Sequence, residues 1–554
     1  MRQGRAAGPP YVPGVRTLQP AFAHPTRAVA RSTRGMIATP HPQATLAGID
    51  VLRRGGNAVD AAIAANAVLT VVYAASCGIG GDAFWLVFDP RRGDVAGYNG
   101  TGRTPRAASL DRLRGPHGPV LPQRGALSVT VPGAVRSWED VGRAHGTRGL
   151  DELLEAAERL ARDGFVVTDV LAGYFALNVE LLEADREAER IFLSRGIPLA
   201  GDALRNPDLA ATFAAIRSGG ADAFYTGRIA ERIVRTLNAQ GNLMSLDDLA
   251  THRTEPTTPL RIAWNDRELL AHPPNSQGAT MLYAMGVLEH DRTADEWTWN
   301  HLAIEAMKRA LDERNTTFAD PAFFDNAFAA KLAPAHLAAV RAGIDPLRAR
   351  STVSAIDRGD TIFLGVVDEN GMAVSLIESL YMNFGSGIVA HETGIVLHNR
   401  GAYFSLIAGH PNVYAGGKRP LHTLSPPMVL RDGRPELVFG TMGGDGQPQI
   451  QVQFLHHVYD RGMNVQQALD MPRWIYGRHA IAERPEIAAA DALIVESRMD
   501  PLLIADLRAR GHLVFEVGPY RSEMGHAHAI AIDRERGTLA GGGDPRADSL
   551  ALGY

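Results

Sequence analysis

The chain has 554 residues, 45% of them hydrophobic and 21% charged, with a formal net charge of −5. That is the composition of a soluble globular protein, and its slight acidity argues against a nucleic-acid binder working through a basic surface. The single cysteine, Cys77, excludes an intrachain disulfide and reads as a small buried hydrophobe.

Residues 1–33, with Pro9-Pro10, Pro13 and scattered arginines, read as a disordered arm. They hold no apolar stretch of signal-peptide length, so a cytoplasmic location is the expectation. From Gly35 the pattern is compact, with helices expected at 43–54, 58–73, 151–163, 175–191, 229–240, 297–318 and 328–343, and strands at 83–89 and 94–98. Ala58 to Ala75 is the best candidate for a membrane span. Asp60, Asn66 and Thr70 interrupt it, so it reads as a buried Ala-rich helix, and neither a membrane nor a nucleic-acid partner is expected. Gly78-Ile-Gly-Gly81 lacks the spacing and the downstream acid of a dinucleotide fingerprint. No cofactor and no metal are expected.

Residues 344–360 carry charges and few apolar side chains, which reads as a loop where chain cleavage is tolerated. The chain then becomes β-rich, with strands expected at 361–367, 372–380, 394–397, 427–430, 436–440, 512–517 and 527–532 and a helix at 462–470. The segment from Thr361 to Ser379 reads as a hairpin turning at Asp368-Glu-Asn-Gly371. A tight turn there pairs residues whose numbers sum to about 740 and sets Thr361 opposite residues 378 to 380. One hydroxyl is thereby placed beside another at the end of a strand. Thr favours strands in any case, but the same placement suits a nucleophile whose base is its own α-amino group, released when the preceding bond is cut.

The motifs around this hairpin narrow the choice. Asp360-Thr361, Gly365-Val-Val-Asp368, Asn383-Phe-Gly-Ser-Gly387, Glu392-Thr-Gly-Ile395, Lys418-Arg-Pro-Leu421 and Met442-Gly-Gly444 occur in that order. Gly35-Met-Ile-Ala38, Gly55-Gly-Asn-Ala-Val-Asp-Ala-Ala62 and Gly78-Ile-Gly-Gly81 precede them, and Asp544-Pro-Arg546 and Gly553-Tyr554 follow. Taken together, from about residue 33 to the end, the chain resembles the γ-glutamyltranspeptidase family of N-terminal nucleophile hydrolases.

That resemblance implies an α/β (α+β) fold, a four-layer αββα sandwich built from both halves of a self-cleaved precursor. It implies cleavage between Asp360 and Thr361, giving a large subunit (34–360) and a small one (361–554), with a dimer of these as a further possibility. It implies that Thr361 attacks first the Asp360 carbonyl and then a small-molecule amide, that Ser379 is the second hydroxyl, and that Gly443 and Gly444 form the oxyanion hole.

The departures from the family pattern cluster where a γ-glutamyl group would bind. Tyr381 stands where an Asn grips the α-amino group, and Tyr403 replaces the acidic residue before Phe404-Ser405. Arg400 replaces a neutral polar residue, and His422-Thr423 replace paired serines. The arginine that holds the α-carboxylate aligns with Thr101, with Arg103 two residues away, and the segment Leu406 to Gly417 is short for a lid. Burying an ammonium without a carboxylate is costly, whereas Arg400 offers a fork of donors to a carboxylate. The bland alternative pairs Arg400 with an acid of the chain such as Glu392. The pocket therefore suits an acyl group with a carboxylate and no α-amino group, as in oxamate amidohydrolases and glutaryl-type cephalosporin acylases. A γ-glutamyl hydrolase or transferase, and a non-catalytic binding relative, are the competing readings.

Overall fold

The computed structural model describes residues 27–113, 121–351, 359–477 and 492–554. Two seven-stranded antiparallel sheets dominate. In the first, strands run in the order Leu550–Gly553, Met36–Thr39, Asp360–Val367, Ala373–Tyr381, Asp82–Asp89, Asp94–Gly100 and Glu255–Thr257. In the second the order is Ala30–Ser32, Thr538–Gly543, Ala527–Asp533, Arg434–Thr441, Pro427–Arg431, Arg267–Ala271 and Leu260–Trp264. Residues before and after Thr361 supply strands to both sheets, so the two halves of the chain are interleaved.

The layering follows from the period of two along each strand. Phe363 and Val367, with Ala373 and Ile377 on the next strand, pack between the sheets against Met428, Val438 and Ile530. Ile362, Leu364 and Val366, with Val374 and Leu376, point to the opposite face and meet helices. The helix Ala58–Val72 lies there with all of its residues buried, and its small alanines allow close approach to the sheet. Asn57 and Asp60 close its N-terminus as a reciprocal capping box. The second sheet is covered on its outer face by Gly278–Val287, Glu296–Thr317 and Gln447–Tyr459. The result is the expected αββα sandwich. No helix among the described residues is long and apolar enough to cross a membrane.

Several elements differ from expectation. Residues 394–397 form only isolated bridges, Val396 with Val389 and Leu397 with Gly80, because Gly394 turns the chain with φ +69°. Of the expected arm, residues 1–26 lie outside the described residues, while Ala30–Ser32 is an edge strand paired with Leu539 to Gly541. In the loop 344–360, residues 352–358 also lie outside the described residues, and the strand begins at Asp360 itself. The helix expected over 175–191 is broken at Asn178, whose φ and ψ of −125° and 19° interrupt the helical turn. Cys77 is fully buried, as its isolation suggests.

Candidate active site

The hairpin forms in the register its turn dictates. Val367 pairs with Ala373 and Ile362 with Glu378, and Gly371 carries the positive φ of the turn, 84°. The Asp368 carboxylate accepts the Asn370 and Met372 amides at 2.9 and 3.0 Å, which fixes the turn locally. At the open end the register shifts between Asp360 and Ile362, so Thr361 sits at a bulge and Asp360 pairs with Tyr381. A bulge re-aims the side chain it carries.

Thr361 Oγ1 donates to Ser379 Oγ at 3.1 Å, and Ser379 Oγ donates to the Asp360 carbonyl oxygen at 2.5 Å. The Tyr381 amide donates to the same Ser379 oxygen at 2.7 Å. One hydroxyl proton given and two bonds accepted is the full capacity of a serine. Thr361 and Ser379 are each 1% exposed. Tyr381 holds φ +80°, a conformation that costs a non-glycine residue about 1–3 kcal/mol and concentrates at functional sites.

Gly443 and Gly444 follow the strand Arg434–Thr441 with φ of +126° and +53°, values that a side chain would oppose. Their turn lies beside the bond in question. A Cβ on Gly359 would stand 3.1 Å from the Tyr381 ring and 3.2 Å from Gly444 Cα. The backbone just before Thr361 therefore fills a slot between the Tyr381 ring and the glycine turn.

Arg400, on the short 3-10 turn Arg400–Tyr403, lies over the Tyr381 ring with 3.9 Å from guanidinium carbon to centroid. Nη1 donates to Thr423 Oγ1 at 3.1 Å. Nε and Nη2 are buried with no hydrogen-bond partner among the described residues. Burial brings the guanidinium down to about 10. Glu392, its candidate partner in the chain, is paired instead with Arg232.

Behind Arg400 lies a buried polar cluster. His422 Nε2 donates to Asp82 Oδ2 at 3.2 Å, and His398 Nδ1 lies 3.8 Å from the same oxygen. His398 Nε2 donates to the Thr130 carbonyl at 3.0 Å, and its Nδ1 accepts the Arg400 amide at 3.3 Å. Burial holds His398 at about 3 and His422 well below the ordinary imidazole value, so both rings are neutral. Burial pushes the Asp82 carboxyl up to about 7, with Arg400 pulling the other way. Asp82 pairs across the sheet with Ser379.

Under the glycine turn sits a second buried group. Arg314 forms an ion pair with Asp445, both fully buried, and donates to Gln277 Oε1 at 2.6 Å. Tyr403 donates to the Asp445 carboxylate at 2.9 and 3.1 Å. Gln277 Nε2 donates to the carbonyls of Gly444 and Thr423 at 2.9 and 2.6 Å.

Of the residues singled out in the sequence, the structure brings Asp360, Thr361, Ser379 and Tyr381 into direct contact, with Arg400 on Tyr381 and Thr423 on Arg400. Tyr403 meets the Tyr381 ring edge-on at 5.8 Å. His422 is committed to Asp82. Arg103 is engaged elsewhere, donating to Asp320, Glu255 and the Gly417 carbonyl, each at 3.0 Å. Asp82, Asp445, Arg314 and Gln277 were not anticipated. The two aspartates each follow directly on a glycine motif, Gly78 to Gly81 and Gly443-Gly444, and that adjacency was the available signal. Arg314 and Gln277 carry no local signal.

Known proteins resemble this chain over most of its length. The family model for gamma-glutamyltranspeptidase matches residues 44–554. The chain is 39% identical over 527 residues to the glutathione hydrolase-like YwrD proenzyme of Bacillus subtilis, covering 94% of this chain and 98% of that one. It is 37% identical over 533 residues to the oxamate amidohydrolase proenzyme of Klebsiella pneumoniae, covering 94% and 99%. Among solved structures, cephalosporin acylase from Bacillus halodurans superposes with a TM-score of 0.88 at 32% identity, covering 97% and 98% of the two chains.

Proposed function

Because the chain belongs to the gamma-glutamyltranspeptidase family, we propose that it is a self-processing amidohydrolase in which Thr361 is the nucleophile of both processing and turnover. The proenzyme relatives support an enzyme that cleaves itself and then an amide. The proposed cut lies between Asp360 and Thr361, yielding a large subunit to residue 360 and a small one from 361.

In processing, the Thr361 oxygen attacks the Asp360 carbonyl carbon. The C–N bond breaks, and the hydroxyl proton ends on the freed Thr361 amine. Water then hydrolyses the ester to an Asp360 carboxylate and a Thr361 hydroxyl. Ser379 supports the step from the side of the carbonyl oxygen, at 2.5 Å, where negative charge develops. In turnover, the same oxygen attacks a substrate amide, with the Thr361 amine as general base. An α-amino group has an unperturbed value near about 8, so much of it is neutral at neutral to mildly alkaline pH. Departure of the slot-filling segment before Thr361 leaves room for an acyl group between Tyr381 and Gly444, and the Gly443-Gly444 amides are the proposed oxyanion donors.

The acyl group is proposed to carry a carboxylate and no α-amino group. The observation that carries this is the buried Arg400 guanidinium, held on Tyr381 with two nitrogens unpartnered among the described residues. Such a group is costly unless something anionic meets it. Kinship with an oxamate amidohydrolase and an acylase points the same way. A γ-glutamyl substrate is the second reading, favoured by the likeness to the glutathione hydrolase-like relative. The test is kcat/KM for a glutaryl anilide against a γ-glutamyl anilide. Preference for the glutaryl compound, lost in Arg400→Ala, supports the first reading, and preference for the γ-glutamyl compound restores the second.

A further inference from the structure

Ser379 meets the residue before Thr361 through its carbonyl; a different set of groups meets it through its side chain. Tyr174 Oη donates to Asp360 Oδ1 at 3.4 Å. Ser522 Oγ lies 3.0 Å from Tyr174 Oη and 2.9 Å from His526 Nε2, and His526 Nδ1 lies 3.1 Å from Tyr73 Oη. Tyr73, Tyr174 and His526 are buried. Tyr73 and Tyr174 come from before Thr361 in the chain and Ser522 and His526 from after it, so the series of contacts spans the two halves that cleavage would separate.

The donor count fixes the direction of every link. An ionised carboxylate only accepts, so Tyr174 spends its proton on Asp360. Its oxygen must then accept from Ser522, whose oxygen must accept from His526 Nε2–H. That leaves His526 Nδ1 to accept from Tyr73. Each member gives one proton toward Asp360, and His526, Ser522 and Tyr174 each receive one from behind. The scheme requires a neutral imidazole, and burial holds His526 at about 4. The series is also tied to the glycine turn, since the His526 carbonyl accepts the Met442 amide at 3.2 Å, one residue before Gly443.

We infer that Tyr73, His526, Ser522 and Tyr174 form a positioning relay that holds the Asp360 side chain in place during self-cleavage. Attack by Thr361 needs the Asp360 carbonyl to stay aimed between the Thr361 hydroxyl and the Ser379 donor. The strand holds the backbone on both sides of the bond, with Asp360 paired to Tyr381, and the relay holds the Asp360 side chain. Misplacement by an ångström costs such reactions heavily. Tyr73, His526, Ser522 and Tyr174 are positioning residues, since their side chains act on the reacting carbonyl through the Asp360 side chain. This inference rests on the cleavage site proposed above.

The experiment measures the rate of appearance of the two fragments on a denaturing gel after the full chain is produced in a cell-free system. Four forms are compared: wild type, Tyr174→Phe, Asp360→Ala and the double variant. Ser522→Ala serves as a second single variant, and a thermal melt of each uncleaved chain reports folding. Tyr174→Phe is expected to slow cleavage roughly ten- to hundredfold, as loss of a hydrogen bond to a charged group does, and Ser522→Ala, which loses bonds between neutral groups, roughly three- to tenfold. Tyr174→Phe is expected to add less than twofold once Asp360 is Ala and offers no acceptor. Cleavage by both single variants within twofold of wild type overturns the relay, and so does a Tyr174→Phe effect that is undiminished in the Asp360→Ala background. N-terminal sequencing of the wild-type small fragment separates the two ideas. A start other than Thr361 overturns the cleavage site itself, whereas a Thr361 start with indifferent variants overturns only the relay.

Discussion

Ser379 Oγ lies 2.5 Å from the Asp360 carbonyl oxygen while accepting the Thr361 hydroxyl at 3.1 Å. One side chain thus touches both the atom that would attack and the atom that would gain charge. Ser379→Ala removes both contacts at a cost of roughly 1–3 kcal/mol, so self-cleavage is expected to slow by about five- to 150-fold. Thr361→Ala is expected to give a folded chain that stays in one piece. Gel analysis over time reads both outcomes, and an unchanged Ser379→Ala rate would reduce that residue to a strand serine.

Arg400 predicts a trade between stability and activity. Its burial with two nitrogens unpartnered among the described residues is unfavourable. Arg400→Met keeps the length and apolar character of the stem without the charge. Its melting temperature is expected to equal or exceed that of wild type, while hydrolysis of carboxylate-bearing amides falls at least tenfold and that of neutral amides holds. A scanning melt paired with the two kcat/KM values checks this, and a drop in stability without a change in specificity would make Arg400 structural.

The hairpin was legible because its information is local: two apolar runs, one Asp-Glu-Asn-Gly turn, and a period that fixes which face each residue takes. The register then followed by arithmetic. Information carried by distant pairs was not legible. Asp82 and Ser379 are neighbours only because two strands lie side by side in the sheet, and Arg314 meets Asp445 across 131 residues. The helix Gln447–Tyr459 escaped notice for another reason. Its buried Gln449 and Gln453 break the apolar period, yet in the fold each makes paired bonds to the backbone of the strand Trp474–Tyr476. Tertiary partners there override the local pattern. Arg103 shows the converse, a residue whose neighbourhood in sequence suggested a binding role while its donors go to Asp320 and Glu255.

The Arg314–Asp445 pair predicts a large loss from a small change. Both side chains are fully buried, and Tyr403 and Gln277 complete the network beneath the glycine turn. Asp445→Asn leaves the Arg314 charge without its counter-ion, which costs about 3–5 kcal/mol in such settings. Denaturant unfolding is expected to show that loss, and cleavage is expected to slow because Gly443 and Gly444 rest on the network. Replacing Arg314 by Lys should not rescue, since one ammonium cannot match the fork that reaches Asp445 and Gln277 together. A stable Asp445→Asn chain cleaving at the normal rate would detach the network from the site.

Glu378 predicts the sign of a pH dependence. It lies one residue before Ser379, fully buried, accepting the Gly78 amide at 3.1 Å and the Asn66 side-chain amide at 3.3 Å. Burial pushes its carboxyl up to about 8 from 4.5. Between those values the folded chain binds a proton that the unfolded chain has released. Stability from this group is therefore full below about 4.5 and falls as the pH rises toward 8, by an amount on the order of a few kcal/mol. Asp82, raised to about 7, adds a fall of the same sign over a narrower window. Glu378→Gln cannot ionise, so its stability should fall less steeply from pH 5 to 8 than that of wild type, whatever its absolute level. Urea unfolding of both chains, made resistant to cleavage by Thr361→Ala, measures the two slopes. Parallel slopes would show that Glu378 is ionised in the folded protein and that its two amide donors outweigh its burial.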